Sequence, residues 1–299
     1  MKTATQHSGL PVYFRPEMVA RTASFSPSAE KPRRVVEDWL ALGLPIHLVA
    51  PEPVTEADLA LAHDHDFVRG VLAGTRANGF GTTSLEVASS LPFTSGSMFA
   101  AARGALESGG ISCSPSSGFH HAGWARAGGF CTFNGLAVTA LKLRRDGLAS
   151  RVAIFDCDQH QGDGTEDILD RVGGHAFVHH FTAGADFHHP RQVPDFFERL
   201  RRELDAASEC DVVLYQAGAD PHVDDPLGGW LTTEELSRRD ALVFDTLSAR
   251  GVPVAWNLAG GYQQRPDGSI PGVLAIHANT AREALRALRE ARYSGVRLP

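Results

Sequence analysis

Residues 151–165 read Arg151-Val-Ala-Ile-Phe-Asp-Cys-Asp-Gln-His-Gln-Gly-Asp-Gly-Thr165. The stretch opens as an apolar run, Val152 to Phe155. It then sets three Asp and one His into eight residues and carries glycines at 162 and 164. A buried strand that ends in carboxylates and an imidazole must pair them, solvate them or give them to a metal. Asp158 and His160 are two residues apart, so in extended chain they face one side. A carboxylate oxygen and an imidazole on one face are two ligands of a zinc-type site. The competing reading is an Asp- and Gly-rich turn capping a helix that begins near Thr165. The rest of the chain decides between them.

Outward from this stretch, the chain alternates strands and helices. Strands are expected at 11–14, 46–50, 111–113, 176–178, 212–216 and 253–258, besides 152–155. Helices are expected at 32–43, from Thr55 to His63, at 64–73, 95–108, 132–146, 165–171, 191–207, 232–250 and 272–292. Thr55 with Asp58 three residues on forms a capping box, and Gly43 and Gly109-Gly110 are stop signals. Residues 75–93, rich in Gly and Thr, read as an irregular loop. Strand–helix alternation predicts an α/β fold, a mostly parallel sheet covered on both faces. In such sheets ligands bind at the carboxyl ends of the strands. His120-His121, Asp158 with His160, Asp220 and Tyr262 all follow predicted strands, so four strand ends bring reactive groups to one rim. Turn aspartates and packing histidines scattered at random would not favour one rim.

Composition narrows the classes. With 299 residues, 43% hydrophobic, and no repeat or linker, the chain reads as one domain spanning 1–299. Lys and Arg number 28 and Asp and Glu 35, giving a net charge of −7. That balance argues against nucleic acid as a partner. The four cysteines include no CxxC pair, which points to a reducing compartment. The start, MKTATQHSGL, has no apolar segment, and no run approaches 18 apolar residues. The expectation is therefore no signal peptide, no membrane span and a cytoplasmic enzyme.

A catalytic zinc takes three protein ligands and an open position, and Asp158, His160 and Asp220 supply three. The adjacent His120 and His121 supply a base and an acid, each needing an orienting carboxylate. Asp156 is assigned to His120 and Asp163 to His121. Tyr262, on a Gly-Gly turn, can donate to a developing oxyanion.

Five ordered motifs now stand together: Gly118-Phe-His-His-Ala122, Gly128-Gly-Phe-Cys-Thr-Phe-Asn134, Asp156 to Thr165, Ala217-Gly-Ala-Asp220 and Gly260-Gly-Tyr262. In order and spacing they resemble the zinc-dependent histone deacetylase family over about residues 90–265. Gln161, and Gln263 after Tyr262, make the chain most similar to class IV and bacterial members. The resemblance implies an arginase/deacetylase-like three-layer sandwich around a central, mostly parallel, eight-stranded sheet. It implies Zn2+, with Fe2+ also suited to two Asp and one His, on Asp158, His160 and Asp220, and a structural K+ near Asp156, Asp158 and His160. It implies His121 with Asp163 as general base and acid, His120 with Asp156 as an electrostatic partner, and Tyr262 on the acyl oxygen. Phe130 beside Gly129 would line the acyl-lysine channel, with Phe187 as the facing wall and Gly260 and Gly261 bordering the substrate. The substrate would be an acylated lysine peptide or protein, or a small acylated amine such as an acylpolyamine. An arginase-type ureohydrolase would need carboxylates where Gly162 and His222 stand. A non-catalytic acyl-ligand module would be expected to have lost Tyr262 or the histidine pair, and all are present.

Overall fold

The structure is a computed structural model that describes residues 9–293. In chain order its main elements are β1 (Leu10–Tyr13), α1 (Lys31–Ala41), β2 (Ile46–Val49), α2 (Glu56–Leu59), α3 (His65–Leu72), α4 (Leu85–Ser108), β3 (Ile111–Ser114) and α5 (Gly135–Arg145). They continue with β4 (Val152–Asp156), α6 (Asp163–Val172), β5 (Val178–Thr182), α7 (Val193–Ala206), β6 (Val212–Gln216), α8 (Thr233–Ala249), β7 (Val254–Asn257) and α9 (Pro271–Tyr293).

The strands form one sheet in the order β2-β1-β3-β7-β6-β4-β5, and every pairing is parallel. The described residues hold seven strands where eight were expected. β4 shows why the sheet sits inside. All five of its residues are buried. Ala153 and Phe155 pack with α1, α7, α8 and α9 on one face, while Val152 and Ile154 pack with α4, α5 and α6 on the other. A strand covered on both faces has no polar side to show, hence its continuous apolar run. Helices α2 and α3 lie outside α5 and α6, around Phe67, Phe133 and Ile168.

Three boundaries depart from the sequence reading by four residues or more, among them the helix expected from Thr55 to His63, which ends at Leu59. Helix α4 starts at Leu85, ten residues early, because Ser84 accepts the Val87 N–H as an N-cap. Pro92 lies inside this helix, and its carbonyl accepts from Val54 N–H. β5 begins where the expected strand ended. The capping box at Thr55 and Asp58 forms as predicted, over a helix of one turn. All four cysteines are free and buried. Among the described residues no helix is long and apolar enough to cross a membrane.

The order matters for the site. β3, β7, β6 and β4 are consecutive in the sheet. Their carboxyl ends release the loops that carry the histidine pair, Tyr262, Asp220 and the 156–163 stretch.

Candidate active site

The residues the sequence singled out as reactive meet in one place. His120 Nδ1 lies 2.7 Å from Asp156 Oδ2, and His121 Nδ1 lies 2.7 Å from Asp163 Oδ1. Both assigned dyads therefore form. The two imidazoles lie side by side, tilted by 53° with centroids 4.1 Å apart. Asp158, His160 and Asp220 converge so that one ligand atom from each lies within 4.8 Å of the others. His160 Nδ1 is 3.1 Å from Asp158 Oδ1 and 3.1 Å from Asp220 Oδ2.

Local backbone explains the convergence. Among the described residues three non-glycine residues have positive φ, and all three flank the site: Phe119 (96°), Phe130 (62°) and Ala259 (52°). Such conformations persist only where surroundings enforce them, and they cluster at functional sites. Phe119 precedes the histidine pair, and Ala259 precedes the Gly-Gly-Tyr turn. The glycines crowd the carboxylates and imidazoles of the cluster directly. Gly260 N–H donates to Asp158 Oδ2 at 2.8 Å, and a Cβ on Gly260 would meet Asp220 Oδ2 at 2.1 Å. A Cβ on Gly129 would meet His121 Cδ2 at 2.4 Å, and one on Gly162 would meet Asp156 Oδ2 at 2.6 Å. Gly261, at φ 133°, packs on Ala219 and Val273. Gly129 and Gly260 thus crowd the reactive groups themselves.

Electrostatics separate the two histidines. Burial lowers the pKa of His120, but the charges of Asp156 and Asp158 outweigh it and lift the group to about 9. His121 is lowered, first by desolvation and then by the charge on His120, against the pull of Asp163. Environment thus pushes the two histidines apart, His120 toward the imidazolium and His121 toward the neutral base. Arg126 holds the other oxygen of Asp163 at 2.7 Å.

The three-residue cluster fits a divalent ion. Burial pushes Asp158 up, but His120 and the bond from His160 hold it well below the carboxylate range. Burial, then the charge of Asp158, push Asp220 up to about 7. The bonds to Asp158 and Asp220 lift His160 to about 10. Two buried carboxylates this close must share a proton or bind a cation, and one imidazole with two carboxylates is a donor set for zinc or ferrous iron. A second group close enough to share an ion, Glu166, Asp170 and His175, is exposed, and its members already pair across the surface.

Phe130 forms an aromatic wall with Phe25 (5.4 Å), Phe80 (5.9 Å) and Tyr262 (5.7 Å). The expectation for Phe187 fails. Its ring is buried against Phe196 and Trp230 and forms part of the core. The next residue, His188, borders the site instead, in an open hollow of about 470 Å³ with His121, Gln159, His160, Gln161, Asp163 and Gly184. The turn at Ala183–Ala185 after β5 intervenes before this pair. At 187 the more apolar of two neighbours takes the core position.

Further residues around the site were not singled out from sequence. His63 is buried and braces the histidine loop: its Nδ1 bonds Gly123 O at 2.9 Å and its Nε2 accepts from Asn134 N–H at 2.8 Å. Asp225 accepts the Tyr262 N–H at 2.7 Å. Lys31 is buried and donates from Nζ to Ala259 O at 2.6 Å. Burial lowers its ammonium to about 8 while Asp220, Asp158 and Asp225 support the charge. Two signals among these were visible: His63 in Ala62-His-Asp-His65, and the acid pair Asp224-Asp225 soon after Asp220.

A parallel α/β sheet with buried carboxylates, paired histidines and a tyrosine at contiguous strand ends defines a hydrolase-type site, and the comparisons identify the family. The histone deacetylase domain pattern matches residues 21–193. An uncharacterized protein of Picosynechococcus sp. is 32% identical over 286 residues, covering 85% of this chain and 92% of that protein. Histone deacetylase 6 of Caenorhabditis elegans is 29% identical over 203 residues, covering 57% of this chain; the match takes in about a fifth of that protein, 21%. In fold, the chain is similar to an acetylpolyamine aminohydrolase from Burkholderia pseudomallei, with TM-score 0.72, 20% identity, and 92% and 98% of the two chains covered. The chain belongs to the histone deacetylase domain family, a family of deacetylase enzymes.

Proposed function

We propose that the chain is a metal-dependent amidohydrolase that removes an acyl group from acyl-lysine or a small acylated amine. One observation carries this: a three-ligand cluster, two His–Asp dyads and Tyr262 meet at the ends of four neighbouring strands. When bound by Asp158, His160 and Asp220, zinc or ferrous iron supplies Lewis acidity toward an acyl carbonyl and acidifies water.

The chain's own residues do the rest. His121, neutral and oriented through Nδ1 by Asp163, accepts the proton of the attacking water at Nε2 and returns it to the leaving amine. His120, held by Asp156 and favoured by it as the imidazolium, contributes positive charge beside the reacting carbonyl. Tyr262 donates its hydroxyl to the acyl oxygen as negative charge develops there, and its backbone is fixed by Asp225. The Phe130 wall packs the apolar stem of the substrate. A potassium ion near the Asp156–His160 carbonyls belongs to the same reading, with β5 lying alongside (Gly162 N–H to Thr182 Oγ1, 2.9 Å).

Within this class, the polar hollow supports a small acylated amine, such as an acylpolyamine, as the second substrate type. His188 in place of an aromatic facing wall leaves that side open to a cationic chain. The test is a panel of acyl-lysine peptides, acylpolyamines and acyl esters on zinc-loaded protein. Turnover is expected, and Tyr262→Phe or His121→Ala should lower it on the order of 10²-fold or more. A wild-type protein inert on the whole panel would end the enzymatic reading.

A further inference from the structure

Strands β4 and β6 deliver the first and last members of the ligand cluster, yet their ladder stops short of both. The last paired residues are Asp156 and Gln216, followed by one bond from Cys157 N–H to Gln216 O at 3.0 Å. Past that point the β6 loop turns to β7, with Ala217 N–H on Asn257 O and Ala219 N–H on Gly260 O. Cys157 immediately precedes Asp158, and Gly218 lies two residues before Asp220. Their buried carbonyls both accept from one atom of helix α8: Arg239 Nη1 donates to Cys157 O at 3.0 Å and to Gly218 O at 2.8 Å.

We propose that Arg239 is a positioning residue for the metal centre, fixing the separation of Asp158 and Asp220 and so setting metal affinity. This rests on reading Asp158, His160 and Asp220 as metal ligands. The guanidinium is fully buried. Its Nε donates to Asp240 Oδ1 at 2.8 Å. Asp240 is in turn fixed by Tyr215 Oη at 2.5 Å and Thr280 Oγ1 at 2.6 Å, so strand β6 and helices α8 and α9 together aim the side chain. Both hydrogens of Nη1 go to the two carbonyls, one in each ligand loop. A rigid fork can bridge two loops and keep its own counter-ion; a lysine ammonium is a single point on a flexible stem. The loops also touch at this level. A Cβ on Gly218 would lie 2.6 Å from Asp220 Oδ1 and 2.8 Å from Asp158 Cα. A shift in the Cys157–Gly218 spacing therefore passes directly to the ligand oxygens.

The opposing account is a plain core ion pair that stabilises α8. Metal binding separates the two. Wild type, Arg239→Lys and Asp240→Asn are prepared metal-free. Zinc affinity is measured against a chromogenic chelator, ligand geometry by the visible absorption of the cobalt(II) forms, and stability by thermal unfolding of the metal-free chains. Groups that orient ligands typically contribute about 10–100-fold to metal affinity. Arg239→Lys is expected to weaken zinc by at least about 10-fold and to alter the cobalt spectrum, and Asp240→Asn to weaken it in the same direction by less. If Arg239→Lys does not fold, Asp240→Asn decides alone. Variants that bind zinc within about two-fold of wild type, with an unchanged cobalt spectrum and only a lowered unfolding midpoint, would overturn the proposal. A wild-type chain that binds no stoichiometric zinc would sink the metal reading first, so the two failures are distinguishable.

Discussion

Replacing Gly260 by alanine tests the ligand cluster with a single methyl group. Gly260 is not among the left-handed glycines, so alanine meets no backbone penalty there. The methyl would stand 2.1 Å from Asp220 Oδ2, 2.4 Å from its Cγ and 2.7 Å from Oδ1. Relief to an acceptable contact requires a shift of about 1 Å, and the buried carboxylate is already engaged by His160 and by Gln159 N–H. Overpacking of this kind costs about 1–3 kcal/mol, and a misplacement of about 1 Å in a reacting group can cost about 10²-fold in rate. The expectation for Gly260→Ala is therefore a modest fall in unfolding midpoint, zinc affinity weakened about 10–100-fold, and kcat/KM lowered about 10²-fold. Gly128→Ala is the matched control. It lies in the neighbouring glycine motif, and its added methyl meets nothing within 4 Å. Chelator competition, calorimetry and steady-state kinetics on the two variants suffice. If Gly260→Ala bound zinc as wild type does and turned over within about three-fold of it, Asp220 would not be the constrained ligand described above.

Two further outcomes are expected. Burial lowers His63 from 6.5 to about 4, against the pull of its backbone partners. Between those values the unfolded chain binds the extra proton, so this contribution is complete above about pH 6.5 and is lost as pH falls through about 4. It amounts to about 3 kcal/mol for this fully buried group. His63→Gln should flatten that part of a stability–pH profile measured by urea unfolding, and an unchanged profile would refute the assignment. Phe130→Ala removes the centre of the aromatic wall and should raise KM about 10-fold with a smaller change in kcat; a pure loss of kcat would contradict a binding role.

Much of the site was legible because its signal is local. Asp156, Asp158, His160 and Asp163 lie in one stretch, and both dyads form, while Asp220 joins Asp158 and His160 because its own strand ends on the same rim. The fold followed from alternating apolar runs, which in β3, β4, β6 and β7 are buried throughout because both faces are covered. What escaped depends on distant neighbours. The start of α4 was hidden by Gly79 to Thr83 and by Pro92, although Ser84 and Glu86 form a serviceable helix entry. The core position of Phe187 is decided by Phe196 and Trp230, which no local pattern near 187 announces. Lys31 reads as an ordinary charged residue at a helix start, and its burial is fixed by a carbonyl 228 residues away. Arg239 likewise looks like one of many helix charges until the ends of β4 and β6 are placed above it.

The bond between Lys31 and Ala259 also has a temporal consequence. A ribosome adding about 5–20 residues per second needs roughly 10 to 45 s to travel from one partner to the other. Throughout that interval the ammonium has no carbonyl to receive it, and Asp220 and Tyr262 are made only near its end. Ion uptake by the complete three-ligand set is therefore a late event in the life of the nascent chain. A product terminated before residue 259 would lack more than a tyrosine: it would leave the buried Lys31 ammonium without its carbonyl acceptor and the sheet without helix α9, and is expected to be cleared as unfolded protein rather than to persist as a weak enzyme.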